Sequence, residues 1–407
     1  MQSACPSPTR SEPSGVGDKP HRLRHVVATA FLPWRSRRRL SCHAVRIEPE
    51  NMTAPAAVDR LLQLRQACVM GLLLAALVGI AFWLSTGETP DPGRPVSLLL
   101  GAALGFVFER GRFCFFCLFR DAIERRATRP LLAIVTAIAV GAVGYALTFG
   151  LYLPNPKGEG LPPGAHIAPV SLPLVLGAAA FGLGMVLSGA CISGHLYRIG
   201  QGYLRAIPAL LGALCGFGLG FFTWNSLYLE QVSESPVLWL PRWLGYSGSL
   251  AVVVVVAVAI ALWLVRVDQV PVSPSAANLR RGSITELREL LLERRWSPVV
   301  TGSIVGMIGI FAYQRTTPLG VTSQLSTISR SYLDARGALP DVLHGIDMMR
   351  GCVAVVSSAI TNNGWLVIGF VVASFAASVG GGHFKVQVPT VGNAVTALLG
   401  GVLLGWG

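Results

Sequence analysis

Long uncharged stretches alternate along this chain with short polar ones. The apolar runs are Gln66–Gly87, Pro130–Pro156, Leu161–Gly194, Ala206–Leu229, Trp243–Val265, Trp296–Gln314, Gly351–Gly382 and Val386–Gly407. A helix needs roughly 17–25 predominantly apolar residues to cross a bilayer core, and every run is of that length or longer. The pattern predicts an all-α fold, a polytopic transmembrane helical bundle. Among the polar stretches, Val267–Arg295 contains "SITELRELLLERRW". There Ser283 can N-cap a short amphipathic helix with Ile284, Leu287, Leu290 and Leu291 on one face.

Composition strengthens this reading. Apolar residues make up 52% of the chain and charged residues 13%, where a soluble domain carries about a quarter charged. The first 51 residues stand apart, mixing Pro and Ser with the cluster "PWRSRRRL". Their apolar patch is too short and too interrupted by proline for a secretory signal. The segment reads as a disordered basic leader, either an upstream-start artefact ahead of Met52 or a cytoplasmic arm touching anionic lipid. The formal net charge of +13 lies largely in this leader and in short loops between spans. That is the positive-inside pattern rather than a nucleic-acid footprint.

The same rule orients the chain. Arg110, Arg112, Arg120, Arg125, Arg126 and Arg129 crowd one connection, and Arg266, Arg280, Arg281, Arg288, Arg294 and Arg295 crowd another. Both are expected on the cytoplasmic side. The expected organisation is leader 1–51, a first transmembrane half 60–265, a cytoplasmic linker 266–296 and a second transmembrane half 297–407.

A glycine ladder recurs in "LGAALGFVFERGRFCF" from Leu100, "LGAAAFGLGMVLSGAC" from Leu176 and "TGSIVGMIGIFAYQR" from Thr301. The closing stretch is a fourth copy: Leu176–Gly184 lies over Leu399–Gly407 without a gap, so Gly407 corresponds to Gly184. The copy from Leu100 runs toward an arginine-rich loop, and the copy from Thr301 runs away from one. Two inverted repeats with short re-entrant, discontinuous helices follow, the sequence mark of a transporter with its site near the midplane. The position equivalent to Cys191 in the last copy falls beyond Gly407, so the second half is expected to be C-terminally incomplete.

Chemistry is expected where the spans are interrupted. "VLSGACISGHLYRIGQG" sets Cys191 among Ser188, Gly189 and Gly194, with His195 and Arg198 behind; "ERGRFCFFCLFRDAIERR" sets Cys114 after Gly111 and Arg112. The plain alternative is that buried cysteines are small hydrophobes and glycines merely permit tight packing. That alternative suits Cys68, Cys215 and Cys352. It suits Cys114 and Cys191 less well, because each closes a glycine ladder with arginine close by. His195 reads as an interfacial side chain. Cys114 and Cys117 form one CxxC, but among phenylalanines at a membrane boundary rather than in a soluble redox fold. No spacing fits a structural zinc site, and no cofactor is called for.

In order along the chain, "RGRFCF", "GLGMVLSGACISGHLYRIGQG", "LLERRWSPVVTG", "PLGVTS" and "LLGGVLLGWG" resemble the YeeE/YedE family of sulfur-transport membrane proteins, whose characterised type takes up thiosulfate. The resemblance runs from about Leu64 to the end. It implies a multi-pass protein of the inner membrane that passes a small inorganic sulfur anion along a central cysteine-lined path. Cys114 and Cys191 match two of the family's three path cysteines, with Gly111, Arg112, Ser188, Gly189, Gly194 and Arg198 in support. The third falls in a motif beyond Gly407, which leaves a transport-inactive truncated homologue as an alternative. A second alternative is a membrane sulfurtransferase forming a cysteine persulfide. Implied partners are the lipid bilayer and a small soluble sulfur-carrier protein on the cytoplasmic side.

Overall fold

In the computed structural model, the described residues are 56–407 apart from 88–90, 159, 163–164, 166, 271–290, 293, 317, 348–353 and 358. The basic leader and the amphipathic linker helix expected around Ser283 lie outside them. So do Arg350 and Cys352.

The chain folds into α1 Ala56–Thr86, α2 Gly93–Gly111, α3 Phe115–Arg125, α4 Leu132–Tyr152, α5 Leu172–Ser188 and α6 Ile192–Gly200. There follow α7 Ala206–Leu227, α8 Leu240–Val267, α9 Pro298–Arg315, α10 Val321–Asp334, α11 Asn362–Gly380 and α12 Val391–Trp406. Among the described residues there is no strand, only an isolated bridge between Tyr203 and Gln387. Six helical stretches among the described residues are long and apolar enough to cross a membrane. The protein is therefore an all-α, multi-pass membrane bundle.

Burial separates the lipid-facing helices from the central ones. Only 11% of the most apolar window of α1 or of α8 is buried inside the protein, against 61% for α11. Leu72, Phe82, Trp83 and Val255 are correspondingly exposed. In water such a surface would aggregate; in lipid it is the outer wall. α2 is absent from the uncharged runs because it carries Glu109 and Arg110. Both are buried and pair with each other, Nη1 of Arg110 lying 3.2 Å from Oε2 of Glu109.

The glycine ladders set the packing. Gly101 and Gly105 of α2 lie against the backbone carbonyls of Leu366 and Phe370 in α11. At the matching positions of the Thr301 copy, Gly302 and Gly306 of α9 lie against the carbonyls of Ala133 and Ala137 in α4. A Cβ at Gly101, Gly105 or Gly302 would collide with the facing chain, so these helices meet backbone to backbone. Exchanging α2 with α9 and α11 with α4 turns one interface into the other. The α5–α12 interface does the same with itself. A Cβ at Gly184 would stand 2.7 Å from the Gly400 carbonyl oxygen, and one at Gly177 would stand 3.1 Å from that of Gly407. The sequence register equates Gly177 with Gly400 and Gly184 with Gly407. These contacts are therefore one contact seen from its two ends, the arrangement a two-fold axis between antiparallel helices produces.

Direction agrees. A Cβ on Gly111, the last residue of α2, would collide with Thr301 in the first turn of α9, so α2 ends where α9 begins. The two arginine-rich connections also meet on one side. Thr128 N donates to Asp268 Oδ1 at 2.9 Å, Arg129 pairs with Asp268 at 2.9 Å, and Arg110 Nη2 donates to the Arg294 carbonyl at 3.0 Å.

Candidate functional site

Two long helices break before short ones, and the breaks converge. α5 ends at Gly189, whose φ of 87° caps the helix while its N–H reaches the Met185 carbonyl at 2.9 Å. A left-handed residue there is cheap only for glycine. Two residues later Cys191 stands extended at the N-cap of α6, where its sulfur accepts from Gly194 N at 3.3 Å. α2 ends at Arg112, a non-glycine residue with φ of 50°, and Cys114 takes the N-cap of α3 without a side-chain cap bond. The single apolar run Leu161–Gly194 thus contains a span, a break and the start of a second helix. Gly189 and Gly194 are the signal that divides it.

The two N-cap thiols face each other with sulfurs 3.7 Å apart. Gly194 makes this possible: a Cβ there would stand 2.6 Å from the Cys114 sulfur and 3.3 Å from that of Cys191. Ser188 is buried and donates to the Ala190 carbonyl at 3.0 Å, bracing the turn. Arg198 braces it from behind through Gly189 O at 3.0 Å. Gly111 is not beside the sulfurs; it seats the end of α2 on Thr301.

Cys117, set aside in the sequence reading, joins the group. Its sulfur accepts from Arg198 Nη2 at 3.0 Å, so the cation nearest a thiol is Arg198 rather than Arg112. The spacing held a hint: Cys117 lies three residues after Cys114, within one turn of α3. His195 is 2% exposed, and its Nε2 has no partner among the described residues. It is a core side chain rather than the interfacial one expected. Cys68 and Cys215 are exposed on helix surfaces.

Cys114 is 0% and Cys191 6% exposed, inside a cluster with Leu104, Phe108, Phe113, Leu196 and Phe370. Moving an ion into such surroundings carries an idealised cost of order 20 kcal/mol, and several kcal/mol after relaxation. Two thiols, weak donors at best, do not offset that. The N–H groups at the starts of α3 and α6 and the Arg198 guanidinium add the positive potential an anion needs. Soft sulfur groups at two helix N-termini, with an arginine behind, suit a soft, sulfur-bearing anion. Arg112 and Arg198 also line a cavity of about 250 Å³ on the arginine-rich side. Among the described residues no three His, Cys, Asp or Glu side chains gather as a metal-holding group.

Comparison with known proteins gives one consistent result. The family described as Sulphur transport matches residues 110–407. The chain is 29% identical over 331 residues to the thiosulfate transporter TsuA of Escherichia coli (strain K12), covering 76% of this chain and 82% of that one. It is 25% identical over 329 residues to the thiosulfate transporter TsuA of Spirochaeta thermophila, covering 76% and 85%.

Proposed function

The chain belongs to the Sulphur transport family, and from that premise we propose that it takes thiosulfate or a related inorganic sulfur species inward across the inner membrane. The substrate passes Cys191 and Cys114 in turn. One observation carries this reading: two buried thiols 3.7 Å apart, each at the start of a helix that follows a break in a spanning segment. Relatives named as thiosulfate transporters support the substrate class. The halves 60–265 and 297–407 act as the two inverted units around the path. A small soluble sulfur carrier on the arginine-rich side is the acceptor the family resemblance implies.

Passage is non-covalent in this reading. The thiols contact the terminal sulfur, while helix N-termini and Arg198 offset the charge. Each contact is weak, and conduction needs binding that also permits release. Radiolabelled thiosulfate uptake into proteoliposomes tests it: Cys114→Ser and Cys191→Ala each abolish uptake in protein that remains folded. Uptake at the wild-type rate in both would sink the assignment.

The Arg198–Cys117 contact favours a second reading. A cysteine thiolate held by a cation is a nucleophile. It would attack the outer sulfur of thiosulfate, breaking the S–S bond; sulfite leaves with the electron pair and a cysteine persulfide remains. Mass spectrometry after thiosulfate exposure separates the two. An unmodified Cys114, Cys117 and Cys191 during active uptake supports the transporter, and a persulfide on any of them supports the transferase.

A further inference from the structure

The cavity beyond the thiols has an electrostatic composition that the path itself does not account for. Arg110, Arg112, Arg198 and Arg295 line it, and Glu109 is the one acid among its lining residues. Guanidinium groups this close repel one another, the more so where water is partly excluded. Arg198 is already engaged with Gly189 and Cys117. Arg112 and Arg295 make no ion pair among the described residues. Burial first, and then the Arg112 charge, hold the Arg295 pKa below the usual arginine range.

Arg110 supplies a second, independent observation. Its side chain is 4% exposed and its Nε has no partner among the described residues, although Nη1 reaches Glu109 at 3.2 Å and Nη2 the Arg294 carbonyl at 3.0 Å. A buried N–H left without an acceptor is costly. Gln201 Nε2 in turn donates to Glu109 Oε1 at 3.5 Å, so Glu109 is held in place between two neighbours. One water occupies about 30 Å³ of liquid, so the 250 Å³ cavity has room for an anion with several waters.

We propose that this cavity is a binding site in its own right for a divalent tetrahedral oxyanion of the thiosulfate or sulfate class, in which Glu109 competes with the anion for Arg110. Arginine's planar fork of donors matches such oxyanions in two-point contacts. The site receives an anion from the thiols on its arginine-rich side, and Glu109 keeps it from being held too tightly to leave. The proposal rests on the sulfur-transport reading only for which oxyanion arrives.

Equilibrium binding of radiolabelled thiosulfate to the purified full chain in detergent tests it, with unlabelled sulfate as competitor. Arg295→Gln weakens binding by about tenfold, the loss of one charge-assisted hydrogen bond. Glu109→Gln tightens binding, a direction that a folding defect does not produce. Sulfate competes in all forms. A lipid phosphate group shares this chemistry, so a second arm adds phosphatidylglycerol. Displacement of thiosulfate by sulfate at concentrations where the lipid has no effect supports the soluble-anion site; displacement by the lipid alone overturns it. Wild-type affinity in both Arg295→Gln and Glu109→Gln also overturns it, whatever the cysteine variants do to uptake.

Discussion

α6 and α10 are both short helices entered through a break after a long one, and the chain fills them with different chemistry. α6 begins at Cys191, whose sulfur meets one backbone N–H and one other thiol. α10 begins at Gly320, whose N–H goes to Asn363 Oδ1 at 3.3 Å, and it continues as "VTSQLSTISRSYLD". Several of its polar groups are already engaged. Thr327 accepts from Val355 N at 3.2 Å and Ser329 donates to the Leu214 carbonyl at 2.9 Å. Arg330 pairs with Asp347 and donates to the Ala354 carbonyl at 2.7 Å. Partnered hydroxyls and a guanidinium hold a loop there, whereas the thiols have only weak partners. The same backbone device is thus a brace in one half and a candidate passage in the other.

Arg330→Leu should break the brace most severely. It strands the Ala354 carbonyl and Asp347, and costs about 2–4 kcal/mol, short of a fully buried pair because Asp347 is partly exposed. A lower melting temperature in detergent checks it, with uptake per folded molecule retained. Gly194→Ala acts on the other side of the comparison. Its Cβ would stand 2.6 Å from the Cys114 sulfur and must push the thiols apart, at about 1–3 kcal/mol for overpacking. Uptake should fall much further than stability does. Ser329→Ala removes one hydrogen bond and should cost about 1 kcal/mol, with uptake unchanged. If Ser329→Ala stopped uptake in folded protein while Gly194→Ala did not, the roles of the two helices would be reversed.

The periodic features of this fold were legible in the sequence. Uncharged length predicted six runs that hold candidate spans, while Trp296–Gln314 and Val386–Gly407 hold α9 and α12, which are not among those spans in the described residues. The glycine register equating Gly184 with Gly407 falls on an interface that pairs with itself. The proximity of Cys114 to Cys191 followed from the family resemblance and their parallel places at the ends of two ladders. What escaped was the pairing of side chains. Glu109 and Arg110 hid α2 from a search for uncharged runs, because sequence does not show that two adjacent charges neutralise each other inside a bundle. The Arg198–Cys117 contact spans 81 residues, beyond any local pattern. The Arg330–Asp347 pair joins α10 to a loop 17 residues further on, again beyond any local pattern. His195, beside a glycine and five residues before the end of its helix, carried no sign of its depth.

Substrate protection of the individual thiols tests the central claim most directly. Purified protein is treated with a small thiol-methylating reagent, with and without thiosulfate, and each cysteine is quantified by mass spectrometry. Thiosulfate should slow modification of Cys114 and Cys191 and leave the exposed Cys68 and Cys215 unaffected. Equal modification of Cys114 and Cys191 with and without thiosulfate, in protein that transports it, would contradict a path running between them.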